Sequence, residues 1–202
     1  MSINNNLPGL PIGRLVLNAL ERLCLKVEDL GINVEEDLSE ESNARFVGIF
    51  DDRTITLYPN VAPPFALWFT VAHLFGHMVQ LANKTPRVDR ANELVLKVGE
   101  SLTNEDIQLV YDHEREAAEI GRKLIAEIES ELSVEMDMAY TRFFHADFRY
   151  LINFIETGEG GVELFAKYWK REPIIPELIK SDSRIISSLK NVDFQDADIV
   201  VV

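Results

Sequence analysis

The chain has very little cysteine and no long uninterrupted run of apolar residues. Cys24 is the single cysteine among 202 residues, so an intrachain disulfide is excluded and a reducing compartment is the simplest expectation. The longest apolar runs end well before the roughly 18 residues that a membrane-spanning helix needs. The N-terminal residues lack the basic segment and continuous apolar stretch of a secretory signal. We therefore expect a cytoplasmic protein that does not enter a membrane.

Positive charge is also scarce. Lys and Arg number 20 against 34 Asp and Glu, which gives a formal net charge of −14 at pH 7. Nucleic-acid surfaces need clustered Lys and Arg, so direct nucleic-acid binding is not expected. An acidic protein of this kind favours a basic partner surface or a metal ion. Apolar residues make up 47% of the chain, enough for a hydrophobic core in one domain or in a domain with an appendage.

Histidine is rare too, but two of the four histidines lie in one apolar stretch. Residues 67–81, LWFTVAHLFGHMVQL, predict a buried helix that carries His73 and His77. A spacing of four residues is about 6 Å along a helix and places both imidazoles on the same face. Two imidazoles so placed can occupy neighbouring corners of a tetrahedral Zn²⁺ site. The spacing alone leaves open the alternative of two core histidines satisfied by hydrogen bonds.

One charged residue falls inside the apolar stripe of a second predicted helix. That helix begins at Thr103, a plausible N-cap, and runs to about Leu132. Its stripe comprises Ile107, Val110, Tyr111, Ala117, Ala118, Gly121, Leu124, Ile125, Ile128 and Leu132. Glu114 is three or four positions from several stripe residues, whereas Glu116 and Glu119 fall on the opposite, polar side. A buried carboxylate needs a cation, which a metal ion held by two histidines would supply. The alternatives are an ion pair with Arg or Lys, or a position at the margin of the stripe.

The sequence around these residues resembles two motifs of the ImmA/IrrE family of metallopeptidases. Residues 69–77, FTVAHLFGH, are similar to the zinc helix of that family, which usually reads R-F-T-L-A-H-E-L-G-H. Residues 114–125, EREAAEIGRKLI, are similar to its second motif, roughly E-x-E-A-x-x-F-A-x-x-L-L. The resemblance extends from residue 11 to about residue 130. It implies a metallopeptidase-like domain with zinc as its cofactor and with His73, His77 and Glu114 as the metal ligands.

Two departures from the family's motif bear on catalytic activity. Trp68 stands where the family usually has Arg, and Leu74 stands where it has the glutamate between the histidines. In zinc peptidases that glutamate takes a proton from the metal-bound water. The resemblance therefore implies a catalytically impaired or inactive relative with a regulatory role. Its family members act on helix-turn-helix repressors, so the expected partner is a transcriptional repressor or another regulatory protein.

Two alternatives remain open at this point. The chain could be a metal-free protein-interaction module, or a slow zinc peptidase with a relocated base. Glu116, His113 or an acidic residue of the C-terminal tail could supply such a base, although the sequence does not single one out. His113 lies about 100° round the helix from Glu114, so we predict a surface position for it.

The expected fold class is α+β. We predict a mostly helical domain (residues 11–132), with a small antiparallel β-sheet packed on the buried histidine helix, and a helical C-terminal extension (residues 133–202). The predicted elements are a helix from Pro11 that stops at Gly31, an acidic connection over 35–43, a hairpin over 45–50 and 54–58, a loop with one short helix over 83–99, and helices over 139–156, 162–169 and 177–189. Residues 193–202 fit an edge strand, a partner-binding tail or disorder. His145 is predicted to be exposed.

Overall fold

The computed structural model describes residues 14–38, 47–59, 64–128, 134–169 and 200–201, and it has the expected mostly helical α+β architecture. The helices are α1 (Arg14–Asp29), α2 (Pro64–Ala82), α3 (Pro86–Val95), α4 (Asn104–Ile128), α5 (Val134–Thr157) and α6 (Val162–Trp169). The strands are β1 (Asn33–Glu36), β2 (Gly48–Asp51), β3 (Thr54–Leu57) and β4 (Val200–Val201). The predicted helix over 177–189 lies outside the described residues. None of the described helices is both long enough and apolar enough to cross a membrane.

The sheet contains the predicted hairpin but is mixed rather than antiparallel. Strands β2 and β3 pair antiparallel around a turn at Asp52, whose φ is 49°. Strand β1 was not predicted, and it pairs parallel with β3, with Val34 opposite Ile55. The four residues of β1 are mostly polar and exposed, so they carry no alternating apolar pattern from which a strand could be inferred. Strand β4 pairs antiparallel with β2, so the described end of the chain forms an edge strand.

Helix α2 occupies the centre of the fold, as its nearly all-round apolar composition predicts. It packs against α1, α4, α5 and the sheet. Its buried apolar side chains are Ala66, Leu67, Trp68, Phe69, Val71, Ala72, Leu74, Phe75, Met78 and Val79. Burial on this scale fixes the orientation of the histidine-bearing face, because a rotated helix would no longer fit its close-packed neighbours.

Helix α4 starts with the predicted cap. The backbone N–H of Asp106 donates to Thr103 Oγ1 at 3.1 Å, and the backbone N–H of Thr103 donates in return to Asp106 Oδ2 at 3.4 Å. This reciprocal arrangement satisfies N–H groups that the first turn of a helix leaves without partners. The cap therefore fixes where α4 begins. It thereby also fixes the side of the helix on which each later residue lies.

Two glycines allow α2 and α4 to approach each other very closely. A Cβ atom added at Gly76 would lie 2.0 Å from the carbonyl oxygen of Ala117. A Cβ added at Gly121 would lie 2.3 Å from the carbonyl oxygen of Ala72. Both distances are shorter than any van der Waals contact, so only glycine permits this crossing. The close crossing brings the histidines of α2 within reach of a side chain on α4.

Helix α5 belongs to the same hydrophobic core, although it lies beyond the part of the chain that resembles the ImmA/IrrE motifs. Phe143 and Phe144 are buried in the core cluster that contains α2. Arg122 of α4 forms an ion pair with Asp137 of α5, which ties the two helices together. The helix ends as predicted at Gly158, which has a φ of 71°, and the predicted short helix follows as α6.

His145 on α5 is more enclosed than predicted. Its ring packs against that of Phe144, with 5.0 Å between the ring centroids, and its Nε2 atom is buried. Burial, followed by the charge of Arg149, lowers the pKa of His145. His145 is half-buried rather than exposed as predicted, because the ring of Phe144 covers part of it.

Candidate metal centre

The three residues predicted as metal ligands meet at one point. The Nε2 atom of His73 lies 3.0 Å from Glu114 Oε2, and the Nε2 atom of His77 lies 3.1 Å from the same oxygen. The two Nε2 atoms are 3.1 Å apart, and the two rings are nearly perpendicular at 86°. All three residues are buried, with exposures of 1%, 1% and 3%. The structure thus contains a buried His-His-Glu group that could hold a metal ion.

The spacing of these atoms fits a divalent ion. Around a tetrahedral zinc ion with bonds of about 2.0–2.1 Å, neighbouring ligand atoms are about 3.3–3.4 Å apart. The observed separations of 3.0–3.1 Å differ from that value by only a few tenths of an ångström. Imidazole nitrogens together with a carboxylate oxygen suit zinc and several other divalent metals. The donor set therefore fits a divalent ion without specifying which one.

The charge state of Glu114 also suits a ligand. Burial by itself would raise its pKa, but the charge of His77 and the hydrogen bonds with His73 and His77 outweigh that effect. Together they hold the pKa of Glu114 well below its usual value, so the carboxylate is ionised. A buried anion in contact with two ring nitrogens requires a positive charge among them, either a proton or a metal ion.

Gln80, one turn after His77 on α2, orients the second histidine. Its amide nitrogen donates to the backbone carbonyl of His113 at 2.9 Å and to Glu116 Oε2 at 3.0 Å. The amide oxygen is thereby directed at His77 Nδ1, at 3.0 Å, and accepts a hydrogen bond from it. With its proton on Nδ1, a neutral His77 presents the lone pair of Nε2 to the ligand cluster. The sequence analysis did not identify Gln80.

His113 does not lie on the surface as predicted. It is 4% exposed, and its ring centroid is 5.0 Å from that of His77. Burial and the charge of His77 lower its pKa to about 4, so the ring is neutral at neutral pH. The prediction failed because α4 is covered on several sides: α2, α3 and α5 all pack against it. A rotation of 100° from Glu114 therefore remains inside the protein.

Glu116 and Glu119 conform more closely to their predicted polar side. Glu116 is exposed and Glu119 is half-buried. The recorded side-chain hydrogen bond of Glu116 is the one that it accepts from Gln80, so its carboxylate supports the site indirectly.

Asp147 on α5 is a buried acid that the sequence analysis missed. Its Oδ2 atom lies 3.9 Å from His73 Nε2, and the residue is 8% exposed. Burial, followed by the charge of Glu114, raises its pKa to about 8. A signal was present: Asp147 is four residues from both Phe143 and Leu151, so it lies within the apolar stripe of its helix. The reasoning that identified Glu114 would have identified Asp147 as well.

Leu74, at the position of the family's glutamate, is fully buried in the main core cluster. A leucine neither accepts nor donates a proton. Together with the aromatic side chains of α2, it makes this side of the histidine helix apolar.

Comparison of the chain with models of protein families, with curated proteins and with solved structures returned no match. The kinship with ImmA/IrrE metallopeptidases therefore stays a prediction from the two motifs, whereas the meeting of the His-His-Glu side chains is a structural finding.

Proposed function

We propose that the chain binds one divalent metal ion, zinc in the first instance, and is a catalytically impaired or inactive relative of the ImmA/IrrE metallopeptidases with a regulatory role. The observation that carries the proposal is the convergence of His73, His77 and Glu114 within 3.0–3.1 Å of one another. Three buried ligand atoms from two separate helices are difficult to account for as ordinary core packing, because an unpaired buried charge is costly.

The proposal assigns separate tasks to the residues of the site. The two imidazoles and the carboxylate hold the ion, and Gln80 keeps His77 in the tautomer that binds it. When bound, zinc would acidify a water molecule or polarise a substrate carbonyl group. The residue that should then carry a proton is Leu74, which cannot do so. Positioned acid–base catalysis is worth about 10²–10⁴ in rate, or roughly 3–5 kcal/mol of activation barrier.

The burial of the site supports low or absent peptidase activity. A peptidase must admit an extended peptide to its metal, yet the three ligands have exposures of only 1–3%. Leu74 is fully buried, and the nearby acid Asp147 is buried as well. These observations favour a metal that serves stability or regulation over one that turns over peptides.

The proposed partner is a regulatory protein, such as a transcriptional repressor, with a basic contact surface. The net charge of −14 supports this choice of partner, because opposite charge accelerates encounter and selects against acidic proteins. Binding that weakens as salt is raised from 50 to 300 mM would support this part of the proposal, and binding indifferent to salt would contradict it.

The direct test is the metal content of protein purified without chelators, measured by mass spectrometry. We expect about one divalent ion per chain, and we expect it to be lost in both His73→Ala and Glu114→Ala. Glu105→Ala is the matched control, because it removes an exposed carboxylate from the same helix α4. A protein that carries no metal, and takes up none when dialysed against zinc, would contradict the proposal. The metal-free interaction module would then be the remaining alternative.

A further inference from the structure

We propose that Asp147 is a fourth protein ligand of the ion, so that the site is His₂Glu-Asp and closed rather than open. This inference rests on the proposed function, since it concerns the same ion. It adds a ligand from α5, a helix that lies beyond the part of the chain that resembles the peptidase motifs.

Asp147 lies beside the three proposed ligands. Asp147 Oδ2 lies 3.9 Å from His73 Nε2, about half an ångström more than the separation of two ligand atoms on one zinc ion. The carboxylate enters the site from α5, whereas the other three ligands come from α2 and α4. Among the described residues, His73 is the only ion-pair partner recorded for the Asp147 carboxylate. To bind an ion held by His73, His77 and Glu114, the Asp147 carboxylate has to move closer to these three residues than it lies in this structure.

The net charge of the occupied site also favours a second carboxylate ligand. Two neutral imidazoles and one carboxylate leave a divalent ion with a net charge of +1 in an enclosed site. A second carboxylate brings the sum to zero, which is the arrangement that burial favours, because a net charge away from water is costly. Asp147 is the acid in position to provide it, and it is itself only 8% exposed.

A ligand from Asp147 would also complete the coordination of the ion. Four protein ligands complete a tetrahedron, as in structural zinc sites, whereas catalytic sites keep one position for water. A closed site leaves no bound water for a general base to act on. The occupation of position 74 by leucine is then of no consequence to the site. The ion would instead join α2, α4 and α5.

The test uses the cobalt-substituted full-length protein, because Co²⁺ reports its coordination in the visible spectrum. Azide serves as the probe, since it binds a metal that has an open or water-filled position. We expect the spectrum of the wild-type protein to remain unchanged on addition of azide, and the spectrum of Asp147→Asn to shift. X-ray absorption of the zinc protein should show two imidazole nitrogens and two carboxylate oxygens.

Zinc affinity provides an independent measure, obtained by competition with a chromophoric chelator. Asp147→Asn should weaken zinc binding at least tenfold, since even the loss of an outer-shell partner costs that much. Glu156→Gln is the matched control, because it removes an exposed carboxylate from the same helix, and its affinity should equal that of the wild type.

An azide response in the wild-type protein would overturn the inference, and that experiment needs no variant to fold. Zinc affinity of Asp147→Asn within twofold of the wild type would overturn it as well. In either case a zinc ion that is still lost in His73→Ala would leave the three-ligand proposal intact. A protein that binds no metal at all would contradict both the three-ligand proposal and the four-ligand inference.

Discussion

Gly76 on α2 lies directly against Ala117 on α4, so close that a Cβ atom at position 76 would be 2.0 Å from the Ala117 carbonyl oxygen. Gly76 lies between the two histidines, and Ala117 is three residues after Glu114. This close approach of the two helices is thus also near the place where His73, His77 and Glu114 meet. The geometry of the site depends on the absence of a side chain at this position.

Replacing Gly76 with alanine should separate the two helices. We expect Gly76→Ala to lower the free energy of unfolding by about 3 kcal/mol, because a rigid backbone oxygen cannot move aside as a side chain could. Zinc affinity should fall in the same variant, since His73 and His77 would move away from Glu114. Urea denaturation measures the first effect and chelator competition the second. Ala126→Ser, at an exposed position of α4, should change stability by less than about 0.5 kcal/mol. Wild-type stability in Gly76→Ala would show that the helices do not meet as described.

Gln80 should contribute to metal affinity without touching the metal. Gln80→Leu removes the acceptor for His77 Nδ1–H, so the ring is free to rotate or to change tautomer. We expect zinc binding to weaken about 10–100-fold, the usual cost of losing an outer-shell partner. Gln108→Leu is the control, because Gln108 is an exposed glutamine on α4. Equal affinities of the two variants would mean that Gln80 does not orient His77.

Replacing Leu74 with glutamate, the residue that the ImmA/IrrE motif has at this position, should destabilise the protein. The side chain is fully buried, so Leu74→Glu would place a carboxylate in the apolar core, and we expect a loss of about 3 kcal/mol or more. Leu74→Met keeps the volume and the apolar character and should cost less than about 1.5 kcal/mol. Urea denaturation of the two variants measures the difference in their free energies of unfolding. If Leu74→Glu were as stable as Leu74→Met, position 74 would have access to water or to the metal, and the closed site would be in doubt.

Cys24 should react slowly with thiol reagents. Burial, followed by the charges of Glu28 and Glu36, raises its pKa to about 11 from an ordinary value of 9.0. At pH 8 the reactive thiolate is therefore about a hundredfold rarer in the folded than in the unfolded protein. Alkylation by iodoacetamide should be slower by about that factor in buffer than in denaturant, and its rate should rise with pH up to about 11. Equal rates in buffer and in denaturant at pH 8 would contradict this.

Helical periodicity in the sequence was sufficient to assign His73, His77 and Glu114 to buried helix faces, because it shows which residues share a face. His73 and His77 are one turn apart, and Glu114 interrupts an apolar stripe, so each was assigned to the interior from spacing alone. The capped start of α4 and the hairpin could also be predicted, because each depends on a few neighbouring residues.

The features that were missed depend on contacts between distant parts of the chain. Strand β1 is polar and short, and it exists because the edge of β3 offers it hydrogen bonds. His113 is buried because four helices (α1, α2, α3 and α5) pack against α4, whereas a helical wheel assumes one buried face. Asp147 differs from these, because its position within an apolar stripe was visible in the sequence.

We propose that His73, His77 and Glu114 together hold one divalent ion, and calorimetric titration of the metal-free protein with Zn²⁺ measures this binding. We predict one saturable site per chain, absent in Glu114→Gln, and a gain in stability of about 2.7 kcal/mol when free zinc is a hundredfold above Kd. A wild-type protein without saturable binding, or Glu114→Gln with undiminished binding, would contradict it.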